Sequence, residues 1–148
     1  MDFLGQSMPY VTAFSKALGT GMMISADSPI GDESRSAMES LIEDYEHVLS
    51  RFRNDSLIAA IGKAEHGGSF DFPDWCAPLF DLYDALFSAT SGAIDPCVGE
   101  DLIRLGYDAS LSFTVTQDAP EHLGALRGRA VWGRDVTRHG TTLVTHEP

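Results

Sequence analysis

The segment from residue 32 to residue 49 constrains the fold most, because its apolar residues recur at three- and four-residue steps. On a helix they share one face: Met38, Leu41, Ile42, Tyr45, Val48 and Leu49. Acidic side chains take the opposite face: Glu39, Glu43, Asp44 and Glu46. Asp32 is the predicted N-cap of this helix. A helix with one apolar stripe must pack on a flat apolar surface, most simply a β-sheet.

A second amphipathic helix follows, with Asp74 as its predicted cap and Ser91-Gly92 at its end, where glycine adopts a left-handed conformation. Its predicted buried residues are Trp75, Leu79, Leu82, Tyr83, Leu86 and Phe87. Extended runs are predicted at residues 10–14, 22–26, 111–116, 129–136 and 142–145. This order of elements predicts an α+β fold, with α/β as the alternative, in which two main helices pack on a mixed sheet. A length of 148 residues predicts one domain, 1–148.

The charge balance of the chain argues against polyanionic partners. Ten Lys and Arg residues against 22 Asp and Glu residues give a formal net charge of −12, which predicts no binding to nucleic acid. No apolar stretch approaches the length of a membrane span, and the N-terminus lacks the pattern of a signal peptide. The sequence as written therefore predicts a cytoplasmic protein, whereas removal of an upstream leader would predict an exported or periplasmic one.

Several charged or reactive side chains receive ordinary structural interpretations. Four arginines are interpreted as protection of a solvated strand edge: Arg127, Arg129, Arg134 and Arg138. Asp81 and Asp84 are interpreted as part of a solvated helix face. Cys76 and Cys97 have no close-spaced partner for a zinc site, so both are interpreted as inert thiols.

Common nucleotide-binding and metal-binding motifs do not fit this chain. Residues 19–21 read Gly-Thr-Gly, but the third glycine of the dinucleotide fingerprint is missing. The pair at residues 62–63, Gly-Lys, lacks the first glycine of a phosphate-binding loop. The five histidines are dispersed and show no two-ligand helical spacing. The sequence therefore argues against a dinucleotide-binding fingerprint, a phosphate-binding loop and a histidine metal site.

Two segments carry residue types suited to a planar, charged ligand. In residues 49–56, Phe52 lies between two arginines at the exit of the first helix, where its ring offers a flat face and arginine supplies charge for a phosphate. The alternative is a surface turn with Phe52 in the core. In residues 90–99, small residues permit close backbone approach, and Asp95 before proline is held extended to accept hydrogen bonds from a heterocycle or ribose. The alternative is a helix C-cap followed by an Asp-Pro turn.

Taken in order, these motifs resemble the FAD:protein FMN transferases, the ApbE-type family of flavin transferases. The family begins with a strand carrying Met-Gly-Thr, matched here by Leu-Gly-Thr at residues 18–20. An amphipathic helix leads into Leu-Ser-x-aromatic-x-x-Asp-Ser, matched by Leu49, Ser50, Phe52, Asp55 and Ser56. After a second helix comes Thr-x-Gly-Ala-Phe-Asp-Pro-x-Val-Gly, matched by Thr90, Gly92, Ala93, Asp95, Pro96, Val98 and Gly99. The resemblance implies the T-fold-like architecture of that family, truncated to its N-terminal portion.

The resemblance also implies an activity and a set of binding residues. Members of the family move FMN from FAD onto a threonine or serine of an acceptor protein and release AMP. The positions that would line the FAD site are Leu18, Phe52, Ala93, Ile94 and Asp95. Leu18 stands in place of methionine and Ile94 in place of phenylalanine, so both keep an apolar contact. Cys97 replaces a threonine or serine, and Glu-Asp at residues 100–101 replaces Pro-Leu.

The magnesium ligands of the family, an aspartate and a threonine, belong to a distal region to which nothing up to Pro148 corresponds. The resemblance therefore implies no catalytic residue and no metal ligand in this chain, with Mg²⁺ expected in the complete enzyme. We expect the chain alone to bind FAD weakly and transfer nothing, and to expose an apolar face where a missing C-terminal half or partner chain docks. The alternatives are a non-catalytic flavin-binding or interaction module derived from the family, and a structural remnant without function.

Overall fold

The computed structural model of the chain describes residues 8–146. Contacts divide these residues into two compact units, with the boundary between Ser50 and Arg51. A single domain spanning residues 1–148 therefore stays a prediction. No helix in the described range is long and apolar enough to cross a membrane.

The first unit opens with an antiparallel hairpin of strand β1, Tyr10–Ala17, and strand β2, Thr20–Ala26. Leu18 and Gly19 form the two-residue turn, with φ angles of 54° and 81°. Left-handed backbone at both turn positions matches the right-handed twist of paired strands, which is why such turns connect hairpins. The hairpin confirms the extended runs predicted at residues 10–14 and 22–26.

Helix α1, Asp32–Leu49, completes the first unit. Gly31 holds the N-cap position and Asp32 is the first helical residue, so the predicted cap is wrong by one position. The Asp32 carboxylate still lies in the first turn, where the helix dipole favours negative charge. The predicted apolar face is buried at Val48, while Leu41 stays 57% exposed.

Polar contacts join α1 to the hairpin within this unit. The Arg35 guanidinium donates to Thr12 Oγ1 at 2.8 Å and lies 5.0 Å from the centre of the Phe14 ring. Near the other end of the helix, Glu46 Oε1 accepts a hydrogen bond from the backbone N–H of Leu18 at 2.7 Å. The helix therefore fixes both the strand and the turn that follows it.

Within residues 51–146, the second unit contains four α-helices and one sheet. The helices are α2, Leu57–Lys63; α3, Ala77–Ala89; α4, Gly99–Arg104; and α5, Ala119–His122. The strands are β3, Gly68–Asp71; β4, Val136–His139; and β5, Thr142–Thr145. They pair in the order β3-β5-β4, and both ladders are antiparallel. The α+β class is confirmed, whereas the strands of residues 8–146 form two small antiparallel sheets in place of the predicted mixed sheet.

Aromatic rings and a charged clamp join α3 to the sheet. Phe80 is 2% exposed and its ring lies 5.2 Å from Phe72 and 6.0 Å from Trp132. From strand β4, Arg138 donates to Asp81 and Asp84 of α3, each at 2.7 Å. Both aspartate side chains stay exposed, at 71% and 51%, which confirms their interpretation as part of a solvated helix face and adds their pairing with Arg138.

Two further strand predictions are wrong. Residues 111–116 contain no strand, because Leu111 and Phe113 have φ angles of 52° and 48° and left-handed backbone cannot continue a ladder. A Cβ at position 106 would lie 2.3 Å from the backbone nitrogen of Thr114, so the loop requires glycine at this position. In residues 129–136, only Val136 belongs to a named strand.

Candidate functional site

The end of α3 shapes the turn that carries the Ala-Ile-Asp motif. Ser91 and Gly92 have φ angles of 52° and 82°, which confirms the predicted left-handed end of the helix. The Thr90 hydroxyl donates to Leu86 O at 2.7 Å and accepts from the N–H of Ile94 at 3.0 Å. One threonine side chain therefore ties the turn back to the last turn of the helix.

The Asp95 carboxylate points into the protein, where its side chain is 2% exposed. Its Oδ1 accepts from the N–H of Cys97 at 2.9 Å and from the N–H of Trp132 at 3.3 Å. Its Oδ2 accepts from Arg129 Nη1 at 2.9 Å. Asp95 thus caps the following 3-10 turn, Pro96–Val98, as the alternative interpretation of the sequence expects, and also binds a distant arginine.

Arg129 is the partner that the sequence did not reveal. It is 6% exposed, so its assignment to a solvated strand edge is wrong. Its Nε lies 2.9 Å from Asp101 Oδ2, and Asp101 accepts in turn from the N–H of Gly124 at 3.0 Å. We call Asp95, Arg129 and Asp101 the buried ion triad. A buried guanidinium shared by two carboxylates keeps all three charges paired.

Ala93 and Ile94 face solvent above this triad. Ala93 is exposed and Ile94 is 45% exposed, although Asp95 beside them is buried. The structure therefore brings these three predicted binding residues together in one turn, with two apolar side chains outward and one carboxylate inward. This turn therefore presents a small apolar surface, and its backbone is held in place by the hydrogen bonds of Asp95.

Phe52 belongs to an aromatic cluster in the same unit. The Arg51 guanidinium lies 4.2 Å from the centre of the Phe52 ring and 4.5 Å from that of Tyr107, both within cation–π range. The Phe52 and Tyr107 rings meet edge to face at 5.5 Å. Tyr107 was not predicted as part of a site, because it lies 55 positions from Phe52 in sequence and no local pattern connects the two residues. Its ring remains 42% exposed.

Leu18, the remaining predicted binding residue, lies in the first unit at the tip of the hairpin. Its side chain is 56% exposed, and its backbone N–H is held by Glu46. Phe52 and Asp95 both belong to the second unit. Their convergence on one ligand, and the contribution of Leu18 to it, stay predictions.

Burial raises the pKa of the Cys97 thiol to about 12, and the neighbouring Asp95 carboxylate adds to that shift. Burial likewise raises the pKa of Cys76 to about 11. At pH 8 we expect about one thiolate in a thousand or fewer, so neither thiol should react with a disulfide reagent in the native chain. Counting thiols with and without guanidinium chloride tests this, with two expected only in denaturant. Rapid native labelling of either cysteine would contradict it.

The fold of this chain is similar to that of several solved structures. Flavinyl transferase ApbE of Pseudomonas stutzeri in its apo form is similar with a TM-score of 0.68 and 18% identity, over 93% of this chain and 45% of that one. Flavin transferase ApbE of Vibrio cholerae is similar with a TM-score of 0.70 and 19% identity, over 93% of this chain and 46% of that one. The ApbE protein of Thermotoga maritima has a TM-score of 0.58 and 19% identity, over 93% of this chain and 46% of that one. No family model and no curated protein matches the chain.

The resemblance drawn from the three sequence motifs is thereby confirmed at the level of the fold. Structures of ApbE flavin transferases match nearly the whole of this chain, whereas the chain spans about half their length. At these sequence identities the likeness concerns the fold alone.

Proposed function

We propose that this chain is the flavin-nucleotide-binding part of an FAD:protein FMN transferase. The complete enzyme would transfer FMN from FAD to a threonine or serine of an acceptor protein and release AMP. The observation that carries the proposal is the shared fold over 93% of the chain, with TM-scores of 0.68 and 0.70 to two flavin transferases. Because the chain spans less than half of those proteins, the proposal assigns it binding and assigns transfer to the whole enzyme.

Apolar side chains that are exposed or half-buried suit the proposed role toward FAD. Phe52 would present its ring to a planar part of the nucleotide, and Ala93 and Ile94 would add apolar contacts from the turn after α3. Leu18 would contribute a further apolar contact from the hairpin tip. FAD is a substrate in this proposal.

Magnesium is assigned to the complete enzyme. Within residues 8–146, no group of three or more histidine, cysteine, aspartate or glutamate side chains is arranged to hold a metal ion. The proposal takes no step through the metal in this chain.

FAD binding tests the proposed role of Phe52. Titration of the chain into FAD should quench flavin fluorescence, and Phe52→Leu should weaken binding about tenfold, because a lost ring contact is worth on the order of 1 kcal/mol or more. Phe52→Tyr keeps the ring and serves as the matched control, with affinity expected to stay near that of the unaltered chain. Equal affinities for the leucine and tyrosine variants would remove the stacking role.

Transfer is tested separately from binding. We expect no covalent flavin on an acceptor protein after incubation with this chain, FAD and Mg²⁺, when the denaturing gel is examined for flavin fluorescence. A full-length ApbE flavin transferase with the same acceptor is the positive control. A fluorescent acceptor band produced by this chain alone would show that 148 residues suffice and would overturn the division between binding and transfer.

A further inference from the structure

The buried ion triad lies directly beneath the turn that carries three of the proposed binding residues. The Asp95 carboxylate already accepts three hydrogen bonds, from two backbone N–H groups and from Arg129. A carboxylate has about four acceptor positions, so most of its capacity is used inside the protein. Its side chain is 2% exposed, which leaves little surface for a ligand.

The Arg129 guanidinium pairs with two carboxylates through two different nitrogens. Its Nη1 donates to Asp95 Oδ2 and to the carbonyl of Ala130, while its Nε lies 2.9 Å from Asp101. Asp101 is held by the N–H of Gly124. A lysine would keep the charge but offer one nitrogen, so it could not bind both carboxylates in this geometry. The triad therefore joins residue 129 to residues 95 and 101, which lie far from it in sequence.

We propose that Asp95 anchors this turn from within, that Arg129 and Asp101 are positioning residues, and that Ala93 and Ile94 make the turn's contacts with the flavin nucleotide. The inference rests on the proposed function. It changes the role of Asp95 from a flavin-lining group to a support for the residues that do line the site. The geometry points this way because the carboxylate is buried while both preceding side chains are exposed.

Nuclear magnetic resonance separates the two roles of Asp95 in the full chain. During titration with FAD, the amide signals of Ala93 and Ile94 should shift, and the side-chain carboxyl carbon of Asp95 should not. A carboxyl shift on saturation with FAD as large as that of the Ile94 amide would overturn the inference. Failure of the unaltered chain to bind FAD would instead remove the proposed function, and the inference with it.

Variants test the positioning role through the amides of Cys97 and Trp132, the two backbone donors to Asp95. Arg129→Met should displace both signals and weaken FAD binding about tenfold, with partial recovery in Arg129→Lys. Asp101→Asn should also displace both amide signals and weaken FAD binding. If Arg129→Met does not fold, Asp101→Asn and Arg129→Lys provide the test. The control Ile94→Ala should weaken FAD binding without moving either amide. Displaced amides with unaltered FAD affinity would contradict the inference.

Discussion

Replacing Arg129 with methionine is expected to lower the free energy of unfolding by about 3–5 kcal/mol. The substitution removes the ion-pair partner of Asp95, and it leaves a carboxylate whose side chain is 2% exposed. It also removes the arginine shared with Asp101. A buried charge without its partner retains the cost of leaving water but loses the compensating interaction.

Urea unfolding followed by circular dichroism measures this effect. The double variant Asp95→Asn/Arg129→Met should recover part of the lost stability, because it removes the isolated charge together with its partner. Arg127 is a matched control two residues away, since its side chain is exposed. Arg127→Met should leave the urea midpoint unchanged. A loss in the double variant as large as in Arg129→Met would show that the charge left on Asp95 is not the source of the instability.

The buried ion triad could not be predicted from the sequence alone. Asp95 and Arg129 are 34 positions apart, and no local pattern connects them. Arg129 stands among other arginines near the C-terminus, where charge is equally typical of an exposed edge strand. What the sequence did predict around Asp95 was local: the left-handed end of α3 and the Asp-Pro turn. Long-range ion pairs depend on tertiary packing and were therefore missed.

Residues 111–116 show how local hydrogen bonds override an alternating pattern. Leu-Ser-Phe-Thr-Val-Thr has the two-residue period of a half-buried strand. In the structure the Asp108 carboxylate accepts from the N–H groups of Ser110 and Ser112 and from both serine hydroxyls. These bonds hold the pKa of Asp108 well below its usual range. They also offer the backbone an alternative to a sheet ladder.

The predictions that the structure confirms concern segments with a clear hydrophobic period or clear turn residues. The apolar stripe of α1 and the extended runs around Leu18-Gly19 gave the correct types of element. The second helix gave its type correctly but its buried face only in part. Apolar residues cover much of α3, so several neighbouring stripes satisfy a helical period, and only tertiary packing decides among them.

Phe80 and Leu82 provide the sharpest test of that buried face. The helical periodicity predicts Leu82 as a core residue and omits Phe80, whereas the structure buries Phe80 and leaves Leu82 51% exposed. Phe80→Ala should therefore cost about 3–5 kcal/mol in unfolding free energy, because it leaves a cavity among the rings of Phe72, Tyr83 and Trp132.

Leu82→Ala is the matched control on the same helix, and we expect its effect to stay within about 0.5 kcal/mol, since half of the side chain is already in water. Alanine is also a favourable helix residue, so the substitution adds no backbone penalty. Urea unfolding of both variants, with tryptophan fluorescence as a second probe near Trp132, decides between the two faces. A larger loss for Leu82→Ala than for Phe80→Ala would favour the face predicted from periodicity and contradict the packing of α3 on the sheet.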